Sequence, residues 1–176
     1  NFGIADHAEV VSRYLGEVGL DHPVLVGHSM GAQVVAEVAA RHPEQVDHLV
    51  LIGPVLPPEA RTLAGAAARM ARDGLREPLG VTGLAVNDYL YRGGMSYLVE
   101  QIPHLLRYRL EEVADRVAAS TLVLCGDADP VAPPEWGRRL AARFPRGRFA
   151  TVPGPHGSMF AAPLLIAGQV DEHART

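Results

Sequence analysis

Apolar positions along this chain follow two rhythms that alternate. After Asp6, the expected helix N-cap, Val10, Val11, Tyr14, Leu15 and Val18 recur at helical spacing, and Gly19 fits the helix end. Then comes Pro23-Val24-Leu25-Val26-Gly27, a run too brief for a helix and rich in β-formers. From Met30 to His42 the helical rhythm returns, with Val34, Val35, Val38 and Ala39 as its buried side and Pro43 beyond its end. Three more short runs follow. His48 to Ile52 stops at Gly53-Pro54, Thr121 to Cys125 stops at Gly126, and the weaker Arg148 to Val152 stops at Pro153-Gly154. Continuous rather than alternating runs suit strands covered on both faces. With helices between most of them, they predict a parallel sheet in an α/β protein.

Between Pro57 and Val117 the alternation stops. Helices are predicted over Glu59 to Arg72, in a Gly-interrupted piece around Asn87 to Tyr97, and over His104 to Arg116, with no good strand among them. So long a connection is rarely mere linkage. The expected organisation is therefore a core of 1–56 and 117–176 with a helical cap, 57–116, over the C-terminal strand ends, where open α/β sheets bind ligands. An irregular helical connection is the alternative.

Composition narrows the partners. Apolar residues make up 48% of the 176 residues and charged ones 20%, as in an ordinary soluble domain. The formal charge is −4 and all 16 basic residues are scattered arginines, so nucleic acid is not an expected partner. No apolar run reaches membrane-spanning length, so neither is a membrane. Cys125, the single cysteine, allows no internal disulfide and suits a reducing, cytoplasmic compartment.

Gly27-His28-Ser29-Met30-Gly31 has the G-x-S-x-G spacing and lies between a predicted strand and a predicted helix. A sharp turn there lifts the Ser29 hydroxyl out of the sheet, and glycines two residues to either side let neighbouring backbone pass. The helix starting at Met30 aims its dipole and unpaired N–H groups at the same spot, so the Met30 N–H is a candidate oxyanion donor. A serine nucleophile needs a base. Of the eight histidines, His7, His22, His42, His48, His104 and His173 are expected at element starts, element ends or in a tail. His28, next to the serine, is expected to point elsewhere. His156 follows the last strand, at the same sheet rim as Ser29, and is the candidate base. The candidate orienting acid is Asp129 in Gly126-Asp127-Ala128-Asp129-Pro130, with Asp127 as its competitor, able instead to cap the loop. Gly53-Pro54-Val55 offers no acid, and Glu59 is the nearest after that strand.

These segments, Gly27 to Gly31, Gly126 to Pro130 and Gly154 to His156 with Pro163 beyond, resemble the α/β-hydrolase superfamily, most closely its small capped members. The resemblance covers nearly the whole chain. It implies a Ser-Asp-His triad of Ser29, Asp129 and His156, no cofactor and no metal, and a cap that shapes the substrate pocket. It also implies hydrolysis of an ester or thioester, with carbon–carbon bond hydrolases, amidases, peptidases and acyltransferases among related sequences. Dehalogenases and epoxide hydrolases of this fold carry an aspartate where this chain has Ser29. In the cap, Leu84, Tyr89, Leu90, Tyr91, Met95, Tyr97 and Leu98 hint at an apolar substrate, or else pack the cap's own helices.

The front departs from the family pattern. Members normally carry several strands before the elbow strand, one leading into the loop that supplies the second oxyanion N–H. Nothing before Gly27 can play that part. The Ser29 strand would thus be a bare sheet edge. The expectation is that the natural protein is longer, or that another chain covers that edge. Two other classes compete with the enzyme: a receptor-like binding protein on this fold, and a degenerate interaction module.

Overall fold

The computed structural model describes residues 2–77 and 95–176, with 80, 83 and 87 between them. Four strands, β1 (Val24–His28), β2 (His48–Ile52), β3 (Ser120–Gly126) and β4 (Gly147–Val152), form one parallel sheet in the order β1-β2-β3-β4. The register pairs Val24 with His48, His48 with Ser120 and Thr121 with Gly147, which brings all four C-terminal ends to one rim. Each strand falls within one residue of its apolar run at either end.

Side-chain alternation divides the core into two layers. Leu49, Leu51, Val123 and Cys125 face one way, against α1 (Ile4–Val18), α2 (Met30–Arg41) and α6 (Pro134–Ala141). Val50, Ile52, Leu122 and Leu124 face the other way, toward Ile166 of α8 (Pro163–Ala174). Period-two strands buried on both sides give the continuous apolar runs of the sequence. In α2, Val34, Val35, Val38 and Ala39 are all buried, as their spacing predicts.

Helix α1 corrects two expectations. It begins at Ile4 rather than after Asp6. Gly3 is the N-cap, and Asp6 sits in the first turn, where its carboxylate accepts from the Gly3 N–H at 2.8 Å. The buried side is Ile4, Ala8, Ser12 and Leu15. Of the predicted apolar stripe, Val10, Tyr14 and Val18 are about half exposed, at 52%, 58% and 51%. Val10 shares an apolar groove with Val26 of the edge strand β1, itself 47% exposed. Leu15 and Val11 of the stripe pack on the core, whereas the other three stay half exposed.

Three described helices lie within 57–116. Helix α3 (Leu63–Gly74) starts later than expected, because the Thr62 hydroxyl caps it by accepting from the Gly65 N–H at 3.0 Å, after a 3₁₀ turn at Pro58–Ala60. The helix expected from His104 to Arg116 is instead two, α4 (Met95–Arg107) and α5 (Leu110–Ala114), divided where Arg109 takes the non-helical angles φ −106°, ψ 80°. Most of the piece predicted around Asn87 to Tyr97 lies outside the described residues, as do Leu84, Tyr89, Leu90, Tyr91 and the side chains of Met95 and Leu98. Leu105, Leu106 and Ala66 pack on Leu56, Ala60 and Val131 beside the sheet rim. No helix among the described residues is long and apolar enough to cross a membrane. A short helix, α7 (Ser158–Ala161), follows the loop after β4.

Candidate functional site

Ser29 sits at the junction of β1 and α2 with φ 54° and ψ −120°, a left-handed conformation strained for a residue bearing a side chain. Its N–H still donates to the Ile52 carbonyl at 3.0 Å, so the sheet ladder anchors the turn. The two flanking glycines prove unequal. A Cβ on Gly27 would lie 2.5 Å from both the Gly31 carbonyl oxygen and a Val35 methyl, so no larger residue fits there. A Cβ on Gly31 would meet nothing within 4 Å, which corrects the expectation that both glycines make room. Met30 is the first helical residue of α2, where no preceding helical carbonyl accepts its N–H.

The loop after β4 brings His156 to Ser29. Its Nε2 lies 3.0 Å from the Ser29 Oγ, and its Nδ1 lies 2.9 Å from the Asp129 Oδ2. His156 and Asp129 are buried, with 6% and 3% exposure. Asp129 is held by its other oxygen, which accepts from the Val131 and Ala132 N–H groups at 2.7 and 2.9 Å. Asp127, its competitor, instead accepts from the Gly154 N–H at 2.9 Å and ties the two loops together. Glu59 is spent on an exposed pair with Arg139. Three sequence candidates from distant segments thus form one hydrogen-bonded row.

Two histidines differ from expectation. His28 does not point away. Its ring lies 4.8 Å from that of His156, and its Nε2 is 3.1 Å from the His156 carbonyl oxygen. A carbonyl only accepts, so His28 carries its proton on Nε2. Burial first, then the neighbouring His156, lower its pKa to about 4. His173 is not in a loose tail either. It is buried in α8 and donates from Nε2 to the Ser120 carbonyl at 2.9 Å.

Sequence reasoning missed two further contributors. Gly53, at the end of β2, has φ 52°, and a Cβ there would lie 3.0 Å from the His156 ring and 3.3 Å from the Asp129 Oδ2. Its place straight after a strand on the same rim was the available signal. Asp73, the last but one residue of α3, accepts from the His156 backbone N–H at 2.9 Å, and no motif marked it. Burial holds the carboxyls of both Asp73 and nearby Glu77 above the ordinary range. Among the described residues, no group of three or more His, Cys, Asp or Glu side chains is arranged to hold a metal ion.

A partly buried hydroxyl with a buried imidazole and carboxylate in this order can make an oxygen nucleophile by passing its proton to the ring. Comparison with known proteins is consistent with such chemistry. Residues 1–83 match the family described as alpha/beta hydrolase fold, and residues 85–171 match the one described as TAP-like protein. The protein named for a carbamate hydrolase activity, RutD of Yersinia enterocolitica, is 25% identical over 172 residues, covering 86% of this chain and 62% of its own. A hydrolase structure from Pseudomonas aeruginosa superimposes with a TM-score of 0.81 at 21% identity, over 99% of this chain and 73% of that one. An esterase from Exiguobacterium antarcticum gives the same TM-score at 14% identity, over 99% and 74%. The chain thus spans less than two thirds of the RutD protein's length.

Proposed function

Because this chain belongs to the α/β-hydrolase superfamily, we propose that it is a serine hydrolase of an ester, thioester or related acyl bond. Ser29 is its nucleophile, His156 its base and Asp129 the carboxylate that orients the base. The observation that carries this reading is the row of two short contacts, 3.0 Å from the Ser29 Oγ to the His156 Nε2 and 2.9 Å from the His156 Nδ1 to Asp129. As Oγ attacks the acyl carbon, His156 takes its proton on Nε2, and Asp129 stabilises the resulting imidazolium through Nδ1–H. The Met30 N–H donates to the oxyanion of the tetrahedral intermediate. When that collapses, His156 returns the proton to the leaving group. A water molecule activated by the same ring then frees the acyl group from Ser29.

The segment 57–116 is the proposed cap. The apolar groove of about 480 Å³ along β1, lined by Phe2, Val10, Val11 and Val26, supports a further strand seated on that edge, from another segment or a second chain. The loop leading from that strand would bring the second oxyanion donor, whose loss costs about 10²–10³ in rate in a well-studied enzyme. A cytoplasmic setting is consistent with Cys125, buried and with its thiol pKa raised by burial, which makes it inert.

Hydrolysis of a series of p-nitrophenyl esters tests the reading. Ser29→Ala and His156→Ala are each expected to lower kcat/KM by more than about 10³. Hydrolysis unchanged by either substitution contradicts it. Ligand binding that survives Ser29→Ala, without any turnover by the parent, would support a binding protein instead.

A further inference from the structure

Among the described residues of α3, a single side chain is buried, and it is a carboxylate, Asp73, 6% exposed. Helices usually dock through apolar stripes. Apart from Ala66, which packs on Leu56, Ala60 and Val131, this one reaches the sheet rim through charge. The Asp73 Oδ1 accepts from the His156 N–H at 2.9 Å, and one turn further along, the Glu77 Oε1 accepts from the Gly157 N–H at 2.6 Å. Two arginines of the same stretch do the converse. The Arg69 Nη1 donates to the Pro130 carbonyl at 2.6 Å and the Arg76 Nη1 to the Ala128 carbonyl at 2.7 Å, on either side of Asp129. Anions thus meet amides of the loop that bears the histidine, and cations meet carbonyls of the loop that bears the acid.

The pattern requires its helix geometry. Arg69 and Asp73 are four residues apart and share a face. Past the helix end, the Arg76 and Glu77 N–H groups both donate to the Asp73 carbonyl, at 2.7 and 3.0 Å, which folds the turn back toward the rim. A Cβ on Gly157 would come within 2.6 Å of the Glu77 carboxylate, so the loop backbone is seated directly on it. Burying a carboxylate is unfavourable, and Asp73 is held against that cost by its charge-assisted bond to backbone. His28 grips the other side of the same residue through the His156 carbonyl.

We propose that Asp73, Glu77, Arg69 and Arg76 are positioning residues, a clamp through which α3 sets the alignment of the His156 imidazole with Asp129 and Ser29. This rests on the serine-hydrolase reading. None of the four touches the reacting atoms. They act through the backbone of the two loops that carry His156 and Asp129, and they tie the placement of the proposed cap to the geometry of the base.

The test follows inactivation by a fluorophosphonate, separating its binding constant, its inactivation rate constant and the fraction of chains that can be labelled. Asp73→Ala is expected to lower the rate constant about 10- to 100-fold, the size of effect that a misplacement near 1 Å produces. The binding constant and labelled fraction should stay unchanged, and Asp73→Asn, which keeps an acceptor oxygen, should restore most of the rate. A merely structural role would lower the labelled fraction and leave the rate constant of the rest intact, and that result overturns the clamp. Should Asp73→Ala not fold, Arg76→Ala, at the exposed end, must show a smaller loss of the same kind, and a parental rate constant overturns the proposal. A parent protein that is not labelled at all refutes the hydrolase reading. The clamp is then decided by amide hydrogen exchange, in which the His156 and Gly157 amides must exchange at least about tenfold faster in Asp73→Ala. Equal rates would refute it.

Discussion

The two flanks of the rim that carries Ser29 solve opposite problems. On the β3–β4 flank, charged side chains are buried and paired: Asp129 with three donors, Asp73 with the His156 amide. On the β1 flank, apolar side chains of α1 and Val26 stand half exposed along a sheet edge. The first flank is a polar network built around the proposed base, and the second is an apolar surface suited to receiving another element. On the first flank buried charge surrounds the proposed chemistry, and on the second exposed apolar surface lies where a partner strand is proposed.

The largest expected effect breaks the first flank at its centre. Asp129→Asn should lower kcat by about 10⁴, because the amide favours the wrong imidazole tautomer, whereas Asp127→Asn, which only ties the loops, should cost far less. Steady-state hydrolysis of an activated ester measures both. If the two substitutions have equal effects, the roles of the two acids are wrongly assigned.

The elbow between the flanks comes next. Gly27→Ala places a methyl 2.5 Å from backbone and should destabilise the protein by about 3 kcal/mol, at the upper end of overpacking costs. Gly31→Ala enters open space and should leave stability within about 0.5 kcal/mol. Urea unfolding of the pair tests whether the spacing of the motif or only its first glycine is a steric requirement.

A smaller effect concerns pH. The folded pKa of His28, about 4, lies below its ordinary 6.5, so the unfolded chain binds its proton first. Its contribution to stability is whole above about pH 6.5 and is lost as pH falls toward 4, amounting to about 1–3 kcal/mol. Relative to the parent, His28→Asn should flatten that slope in unfolding free energies measured from pH 7 to pH 4.5. An unchanged slope would mean that His28 is not held neutral against His156.

The smallest belongs to the β1 flank. Val26→Lys should alter stability by less than about 0.5 kcal/mol, whereas Leu51→Ala in the buried sheet should cost about 2–5 kcal/mol. A large loss at Val26 would show that the edge is already packed.

The same contrast explains what the sequence revealed. Strands buried on both faces announce themselves as unbroken apolar runs, so β2 was legible to the residue, and the fold class followed from the alternation. Ser29, Asp129 and His156 were legible because each closely follows a strand end and so reaches a common rim. The face of α1 was not, since a periodic stripe at Val10, Tyr14 and Val18 reports a helix and one apolar side but not whether a neighbour covers it. Asp73 was illegible for a different reason. An isolated aspartate near a helix end looks like solvated surface, and only the approach of the β4 loop, 83 residues away in sequence, gives it a partner. His28 misled because divergence of consecutive side chains says nothing about a loop that folds over both of them.

Mapping of a fluorophosphonate adduct by peptide mass spectrometry tests the nucleophile most directly. A single adduct on Ser29, formed by the parent protein and lost in His156→Ala, is expected. An adduct on another residue, or one on Ser29 that forms at the parental rate without the imidazole of His156, would contradict the assignment.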